Sequence, residues 1–111
     1  MNSTSYKSNS GGLAHHVRST VDGHHLTIHV SGRFDFNCHR EFRQAYEGAK
    51  GEFTDYVVDL EATEHLDSAA LGMLLLLRDW AGTATVRISS CRPAVRKILQ
   101  IANFGTLFAI S

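Results

Sequence analysis

Short β-branched runs alternate with helical patterns along the second half of this chain. The run "YVVDL" at residues 56–60 is typical of a buried strand, and Val86 with Ile88 in "ATVRIS" marks another. Between them, residues 67–80 have helical character, and apolar residues in 93–102 recur at helical spacing after a proline. Strands separated by single helices need crossover connections, which make the strands parallel. The alternation therefore predicts an α/β domain with a largely parallel sheet.

The first half of the chain adds an antiparallel pair and another helix. Residues 14–21 can extend, Asp22 and Gly23 form a strong turn signal, and apolar side chains alternate with polar ones in the following "HHLTIHVSG". A helical pattern covers residues 38–49, and "TLFAI" near the C-terminus indicates a last extended piece. The predicted order is ββαβαβα followed by a short strand. We therefore expect a mixed sheet of four to five strands, with three or more helices mainly on one face.

Composition supports a single domain and a protein partner. The 111 residues are 43% hydrophobic, which suits one core. The 11 basic and 11 acidic side chains cancel, so the chain lacks the positive field that nucleic acid or an anionic membrane surface requires. The longest apolar run, residues 69–77, is far shorter than the roughly 20 residues of a membrane span. We expect a specific protein partner, with no direct nucleic-acid or membrane binding.

The N-terminal segment "MNSTSYKSNSGG" is polar and lacks the apolar core of a secretion signal. Such residues cannot bury enough surface to offset the entropy lost on ordering. We therefore expect a flexible tail at residues 1–13, one folded domain at residues 14–111, and a cytoplasmic location.

Cysteine and histidine side chains are the candidate metal ligands. Cys38 and Cys91 lie far apart without a CxxC spacing, which favours two reduced, partly buried thiols, although the spacing alone leaves a disulfide open. Histidines occur in pairs at 15–16 and 24–25, but adjacent strand residues point to opposite faces, and no acidic or thiol ligand accompanies them at a recognisable spacing. We expect surface histidines and no metal site.

The helix predicted over residues 67–80 has more apolar surface than one buried face needs. Its residues fall into two stripes, Leu71, Leu74, Leu75 and Arg78 on one side and Met73, Leu76, Leu77 and Trp80 on the other. Neither stripe is clearly the solvent-exposed one. Periodicity favours a central helix with both stripes in the core, and the alternative is that one stripe meets the sheet while part of the other receives a partner.

Ser68 lies between Asp67 and this apolar run, and we expect it at or within one residue of the helix N-terminus, directly after the strand that contains Val57 and Val58. In the more frequent structural role it is an N-cap, whose hydroxyl accepts a hydrogen bond from an unpaired amide of the first turn. In the functional alternative it carries a phosphate, which exposed N–H groups and the positive end of the helix dipole stabilise. Asp67 would oppose this phosphate by repulsion. A charge of about −1.5 to −2 beside an apolar docking surface would nevertheless act as a removable switch.

The stretch "VVDLEATEHLDSAALGMLLLL" resembles STAS domains of the anti-sigma factor antagonist type, in which a strand leads to an Asp-Ser-Ser/Thr-Gly-Leu-Gly motif that opens an apolar helix. In addition, "SGRFDFNCHREF" is similar to the family's Gly-x-x-Asp segment, and "RPAVRKILQIANFGTLFAI" is similar to its last helix and closing strand. The resemblance covers about residues 14–110. Ala69 and Ala70 replace the motif's second hydroxyl residue and first glycine, and Gly72 retains its second glycine.

This resemblance implies a STAS fold and a function in partner switching. Ser68 matches the serine that a cognate anti-sigma kinase phosphorylates, Asp67 matches the acidic residue before it, and Asp35 matches the acidic residue of the neighbouring loop. The unphosphorylated protein would bind an anti-sigma factor, and the phosphorylated protein would release it. An ATP-dependent serine kinase and a PP2C-type phosphatase are the implied modifying enzymes. We predict a partner-binding site formed by Asp35, Asp67, Ser68, Ala69 and Met73.

The sequence leaves one alternative function open and disfavours catalysis. STAS domains also serve in transporters, so the alternative is a structural subunit of a lipid or anion transport complex in which Ser68 only caps a helix. A hydrolase triad of Ser68, a nearby histidine and Asp35 is disfavoured, because the chain lacks a Gly-x-Ser-x-Gly elbow and His65 is expected in a solvated loop. The chain also lacks a Gly-rich phosphate loop with a lysine. We expect no catalytic residue and no cofactor.

Overall fold

The computed structural model describes residues 16–111 of the chain. The tail predicted at residues 1–13 lies outside the described residues. The described part forms one mixed sheet of six strands, with three α-helices and two short 3₁₀ turns. In chain order the elements are β1 (His16–Asp22), β2 (His25–Phe34), a 3₁₀ turn (Phe36–Cys38), α1 (His39–Glu47), β3 (Asp55–Asp59), β4 (Thr63–Leu66), α2 (Ser68–Ala81), β5 (Thr85–Ser89), α3 (Pro93–Ile101), a second 3₁₀ turn (Phe104–Thr106) and β6 (Ala109–Ile110).

The sheet has the predicted mixed topology. β1 and β2 form the antiparallel hairpin, with Asp22 opposite His25 and Gly23 in the turn at a φ of 61°. The strand order is β1-β2-β3-β5-β6, and all neighbours after the hairpin are parallel. The α/β class predicted from the alternation of strands and helices is confirmed.

β4 makes the sheet one strand larger than the largest sheet expected. It pairs in parallel with the end of β2, where Phe34 lies opposite Leu66. The register of this pair shifts just after Gly32, whose φ of 74° lets β2 change direction. The sequence of β4 gave no strand signal, because its two middle residues are exposed and its two end residues buried, without the alternation that marks a strand.

The two faces of the sheet differ in polarity. In β2, the buried residues Leu26, Ile28 and Val30 alternate with more accessible polar residues, beginning with His25 and Thr27. The core therefore lies on one face of the sheet, and the helices cover that face, as predicted. The largest fully buried side chains are Phe34, Phe42, Leu26, Ile28, Leu60, Leu66, Leu74, Leu77, Ile88, Leu99, Val30 and Val58.

α2 buries only one of its apolar sides. Its buried residues recur at i, i+3, i+4 and i+7, and they are Ala70, Met73, Leu74 and Leu77. Leu75, Leu76 and Trp80 remain 41%, 63% and 51% exposed. The interpretation that both stripes belong to the core is therefore wrong. Among residues 16–111, no helix is both long and apolar enough to span a membrane.

Cys38 is buried and Cys91 is partly buried, and the structure does not join them in a disulfide. Cys38 is fully buried and its Sγ donates to the carbonyl oxygen of Asp35 at 3.2 Å. Burial raises the pKa of the Cys38 thiol to about 11, so the thiol stays protonated near neutral pH. Cys38 thus serves as a small core residue.

Candidate functional site

The ends of two neighbouring parallel strands place Asp35 beside Asp67. Phe34 in β2 and Leu66 in β4 are paired residues, and the two aspartates directly follow them. The amide of Asp67 donates to the carbonyl oxygen of Phe34 at 3.4 Å, which links the two strand ends. The carboxyl ends of parallel strands are where open α/β sheets commonly bind their ligands. The structure therefore places the two acidic loops at the carboxyl ends of adjacent strands, where we expected them to converge.

Asp67 is the N-cap of α2. Its backbone is extended, with φ −114° and ψ −177°, and its Oδ1 accepts a hydrogen bond from the amide of Ala70 at 3.0 Å. Capping is thus the task of Asp67, and the interpretation of Ser68 as the N-cap is wrong. An aspartate at the N-cap also places negative charge at the positive end of the helix dipole, which stabilises the helix.

Ser68 is the first residue of α2 and is exposed. Its hydroxyl makes no hydrogen bond with any residue of the described range 16–111. We predicted Ser68 within one residue of a helix start, which is confirmed. It does not directly follow the strand that contains Val57 and Val58, because β4 lies between them. The side chain of Ser68 is therefore free of a structural role and open to solvent.

The first turn of α2 offers hydrogen-bond donors next to Ser68. The first backbone hydrogen bond of the helix is donated by the amide of Leu71 to the carbonyl oxygen of Asp67 at 3.2 Å. The amide of Ala70 donates to Oδ1 of Asp67. Helix geometry leaves the amides of Ser68 and Ala69 without an intrahelical acceptor. These two N–H groups and the helix dipole form a favourable environment for an anion on the Ser68 side chain.

Asp35 fixes the loop that faces this helix start. Its Oδ1 accepts from the amide of Asn37 at 3.0 Å, and its Oδ2 lies 3.5 Å from Nε of Arg33. The residue is only 9% exposed. Asp35 therefore holds the 3₁₀ turn in place and contributes little surface of its own. Within residues 16–111, neither Asp35 nor Ser68 hydrogen-bonds to a histidine, so the Ser68–His–Asp35 triad considered from the sequence is not assembled there.

An exposed strip on α2 continues from Ser68. We call the residues Ser68, Gly72, Leu75 and Leu76 the outer strip, since their spacing of four, three and one residues places them on one helix face. Packing within the protein does not require a glycine at position 72, because a Cβ built there would meet nothing within 4 Å. The outer strip thus combines an exposed hydroxyl, a stretch of backbone without a side chain and two exposed leucines.

Phe36 adds a second exposed apolar side chain from the loop after β2. It is 62% exposed, and its ring stacks on His39 with centroids 4.2 Å apart. Phe36 directly follows Asp35, so it belongs to the same strand end as the predicted site. Sequence reasoning missed this residue because a single phenylalanine in a loop carries no periodic signal.

Met73 does not belong to the accessible surface. It lies on the buried side of α2 and is only 7% exposed, and Ala69 is half-buried. The sequence assigned Met73 to the partner-binding site because an almost wholly apolar helix gives no polar face from which to read its phase. The exposed apolar residues are instead Leu75 and Leu76 on the outer strip, and Phe36 in the loop after β2.

Within residues 16–111, histidine, cysteine and acidic side chains form no cluster of three that could hold a metal ion. Two histidine–aspartate pairs lie on the polar face of the sheet, His25 with Asp55 and His29 with Asp59, each with Nδ1 to Oδ2 at 2.9 Å. Both pairs are on a different side of the sheet from the core that α2 covers.

Family comparison gives the class of protein. The family model described as "Mlab, STAS domain" matches residues 17–109. A STAS-domain containing protein of Pseudomonas aeruginosa (strain UCBPP-PA14) is 54% identical over 94 residues, which are 83% of this chain and 93% of that protein. This chain therefore belongs to the STAS domain family, as the resemblance of its motifs predicted.

Solved structures of distant relatives share the fold. The anti-sigma factor antagonist SpoIIAA in its unphosphorylated form matches with a TM-score of 0.62 and 17% identity, over 88% of this chain and 87% of SpoIIAA. A sulfate transporter family protein from Wolinella succinogenes matches with a TM-score of 0.67 and 10% identity, over 77% of this chain and 71% of that one. These similarities confirm the STAS fold.

Proposed function

We propose that this protein is an anti-sigma factor antagonist that changes partners through phosphorylation of Ser68. Unphosphorylated, it binds an anti-sigma factor and frees a sigma factor; phosphorylated, it releases the anti-sigma factor. The observation that carries the proposal is the place of Ser68, exposed at the first residue of α2 and continuous with the outer strip. The motif "LDSAALG" and the fold shared with SpoIIAA support it.

A phosphate on Ser68 is compatible with the folded state. The amides of Ser68 and Ala69 have no intrahelical acceptor, and the dipole of α2 favours negative charge at this end. The carboxylate of Asp67 opposes the phosphate by repulsion, but it is already engaged with the amide of Ala70. Phosphorylation is therefore expected to change the surface while the helix start keeps its structure.

The same phosphate would lower the affinity for a partner bound to the outer strip. Gly72 lies one helical turn from Ser68, at about 6 Å along the axis, and the two leucines follow within about 12 Å. A partner seated on this strip would have to desolvate a charge of about −1.5 to −2 at the edge of an apolar contact. The modification thus weakens binding by electrostatics and bulk, without a change of fold.

The protein itself performs no chemistry in this scheme. Phosphorylation of Ser68 requires an ATP-dependent serine kinase, which the resemblance implies is the anti-sigma factor. Removal of the phosphate requires a PP2C-type phosphatase. Asp67, which directly precedes Ser68, would contribute to recognition by these partners, and Asp35 would contribute by holding the loop that carries Phe36. We propose a cytoplasmic, non-enzymatic regulator.

A second candidate function rests on the fold shared with the sulfate transporter family protein. In that case the chain is a constitutive subunit of a lipid or anion transport complex. The outer strip would then contact a fixed partner, and Ser68 would never be modified.

The phosphorylation state of the native protein tests the proposal. Mass spectrometry of the protein isolated from its native cells should find phosphate on Ser68 in a fraction that varies with growth conditions. The kinase that binds the unmodified protein should transfer phosphate from ATP to the wild type and not to Ser68→Ala. An unmodified Ser68 under all conditions, with stable co-purification of transport proteins, would establish the second candidate instead.

A further inference from the structure

β1 is a long edge strand. Each of its seven residues pairs with β2, from His16 opposite Ser31 to Asp22 opposite His25, and the described part of the chain supplies no strand on the other side. The opposite edge, β6, has only two residues. An edge strand of this length presents a row of unpaired N–H and C=O groups that can pair with another strand.

β1 lacks two of the features that prevent edge strands from pairing, a proline and a bulge. It contains no proline, and its register with β2 runs without a bulge. Its residues 18–22 are exposed, including Val21 at 55%. Two of its exposed side chains carry opposite charge, Arg18 and Asp22, and they share one face of the strand because they are four residues apart.

The free backbone groups of β1 belong to Val17, Ser19 and Val21. The carbonyl of His24 accepts from the amide of Thr54 at 2.9 Å, so even-numbered residues of β2 direct their backbone groups towards β3. The odd-numbered residues of β2 therefore bond to β1, and their partners are the even-numbered residues of 18–22. The odd-numbered residues of β1 direct their N–H and C=O groups to the open edge.

We propose that two copies of this protein associate by antiparallel pairing of their β1 strands about a two-fold axis at Thr20. In this register Thr20 lies opposite the partner's Thr20, and Arg18 lies opposite the partner's Asp22. Ser19 lies opposite the partner's Val21, so the free backbone groups of the two edges meet. The two sheets become one continuous sheet with two cross-strand ion pairs around a central threonine pair.

Charge complementarity selects a second copy as the occupant of this edge. A two-fold axis applies every contact twice, so the strand must complement its own reverse. Arg18 precedes Thr20 by two residues and Asp22 follows it by two, which places opposite charges together on both sides of the axis. The inference does not depend on the proposed function of Ser68.

Charge exchange tests the pairing. Analytical ultracentrifugation of the wild type over a concentration series should show a dimer, and Arg18→Asp or Asp22→Arg should each weaken it at least about fivefold, because both ion pairs become repulsive. The double variant should recover the dimer. Native mass spectrometry of Arg18→Asp mixed with Asp22→Arg should show mainly the heterodimer, in which both pairs are again opposite in charge. Lys97→Glu, an exposed charge reversal on α3, is the matched control and should leave the dimer unchanged.

A cross-link tests the register independently. Opposite residues of a non-hydrogen-bonded antiparallel pair have Cα atoms about 4.5 Å apart, within the range of a disulfide. Thr20→Cys should therefore oxidise to a covalent dimer, whereas Thr27→Cys on β2 should behave as the wild type. A monomer at every concentration without this cross-link would overturn the proposal and leave the edge free or covered by residues 1–15. A dimer that persists unchanged in both charge variants would place the interface elsewhere and would overturn it equally.

Discussion

The carboxylate of Asp67 accepts a hydrogen bond from the amide of Ala70 at 3.0 Å, and this contact separates the capping residue of α2 from the proposed phosphorylation site, Ser68. Asp67 satisfies the helix end, so the exposed hydroxyl of Ser68 has no structural contact in residues 16–111 that a modification would break. At a capping serine, the oxygen that accepts the amide hydrogen bond would itself become the phosphate ester oxygen, so the cap would have to rearrange on phosphorylation. The division of tasks between the two residues makes a switch at Ser68 compatible with a stable fold.

Loss of the cap should therefore appear at Asp67 and not at Ser68. We expect Asp67→Ala to lower the free energy of unfolding by about 1 kcal/mol, because the Ala70 amide loses its acceptor. Ser68→Ala should change it by less than about 0.5 kcal/mol, as surface substitutions usually do. Urea unfolding of both variants measures the difference. Asp67→Asn, which keeps a capping oxygen, is the control. A larger loss of stability for Ser68→Ala than for Asp67→Ala would show that Ser68 is the N-cap.

Gly72 should be a site where stability and partner binding respond in opposite directions. Gly72→Ala should raise the free energy of unfolding by up to about 1 kcal/mol, because alanine favours helix and its Cβ meets no neighbour within 4 Å. The same Cβ should weaken binding of the anti-sigma factor, because it fills the bare backbone of the outer strip. Thermal unfolding and calorimetric titration measure the two effects. Stabilisation with unchanged affinity would remove Gly72 from the interface.

The exposed leucines of the outer strip should contribute to binding without contributing much to folding. Leu76 is 63% exposed, so Leu76→Asp should leave stability nearly unchanged while it lowers the affinity for the anti-sigma factor at least about tenfold. Ile101→Asp, at a 77% exposed position on α3, is the matched control. Met73→Ala should instead destabilise the fold by about 2–5 kcal/mol through a core cavity. Comparable loss of affinity in Leu76→Asp and Ile101→Asp would point to a nonspecific effect and contradict this placement.

Acid should weaken the fold through Asp55. The guanidinium of Arg87 donates to both of its carboxylate oxygens, at 3.2 and 2.7 Å, and holds the pKa of Asp55 below its ordinary value of 3.8. A lowered pKa in the folded state means that the pair stabilises the protein fully above the unfolded-state pKa. That contribution is lost as the pH falls through the folded-state pKa.

Unfolding midpoints in urea, measured from neutral to strongly acid pH, test this contribution. Asp55→Asn should be less stable than the wild type near neutral pH, and the difference should shrink as the pH falls below about 4. Asp79→Asn, a change at an exposed aspartate of α2, should follow the wild-type curve. A constant difference between wild type and Asp55→Asn at every pH would show that titration of Asp55 plays no part.

The fold was predictable where local patterns agree with the tertiary structure. Asp22 and Gly23 gave the hairpin, and the alternation of strands with helices gave the parallel sheet. β4 was not predictable, because its pairing depends on the change of direction of β2 at Gly32, which is distant in sequence. Pairing that long-range contacts decide leaves no pattern in a segment of four residues.

The sequence predicted the positions of the polar residues of the candidate site, but it did not predict which apolar residues of α2 are exposed. Asp35, Asp67 and Ser68 follow strand ends or open a helix, so their positions could be read from the motif. The face of α2 that packs on the sheet could not be read from the sequence, because nearly every position of the helix is apolar. Only packing against the sheet decides that Met73 is buried while Leu76 is exposed. The choice of Asp67 over Ser68 as the cap is likewise decided by backbone geometry between two residues that both favour that role.

Calorimetric titration of the anti-sigma factor with Ser68→Ala, Ser68→Asp and the phosphorylated protein tests the switch most directly. Ser68→Ala should bind like the unmodified wild type. Ser68→Asp should bind about 100-fold more weakly, which corresponds to a penalty near 3 kcal/mol for one charge at the edge of the apolar contact. The phosphorylated protein should bind at least as weakly, since it carries more charge and bulk. Equal Kd values for all three forms would contradict the switch and favour a constitutive structural subunit.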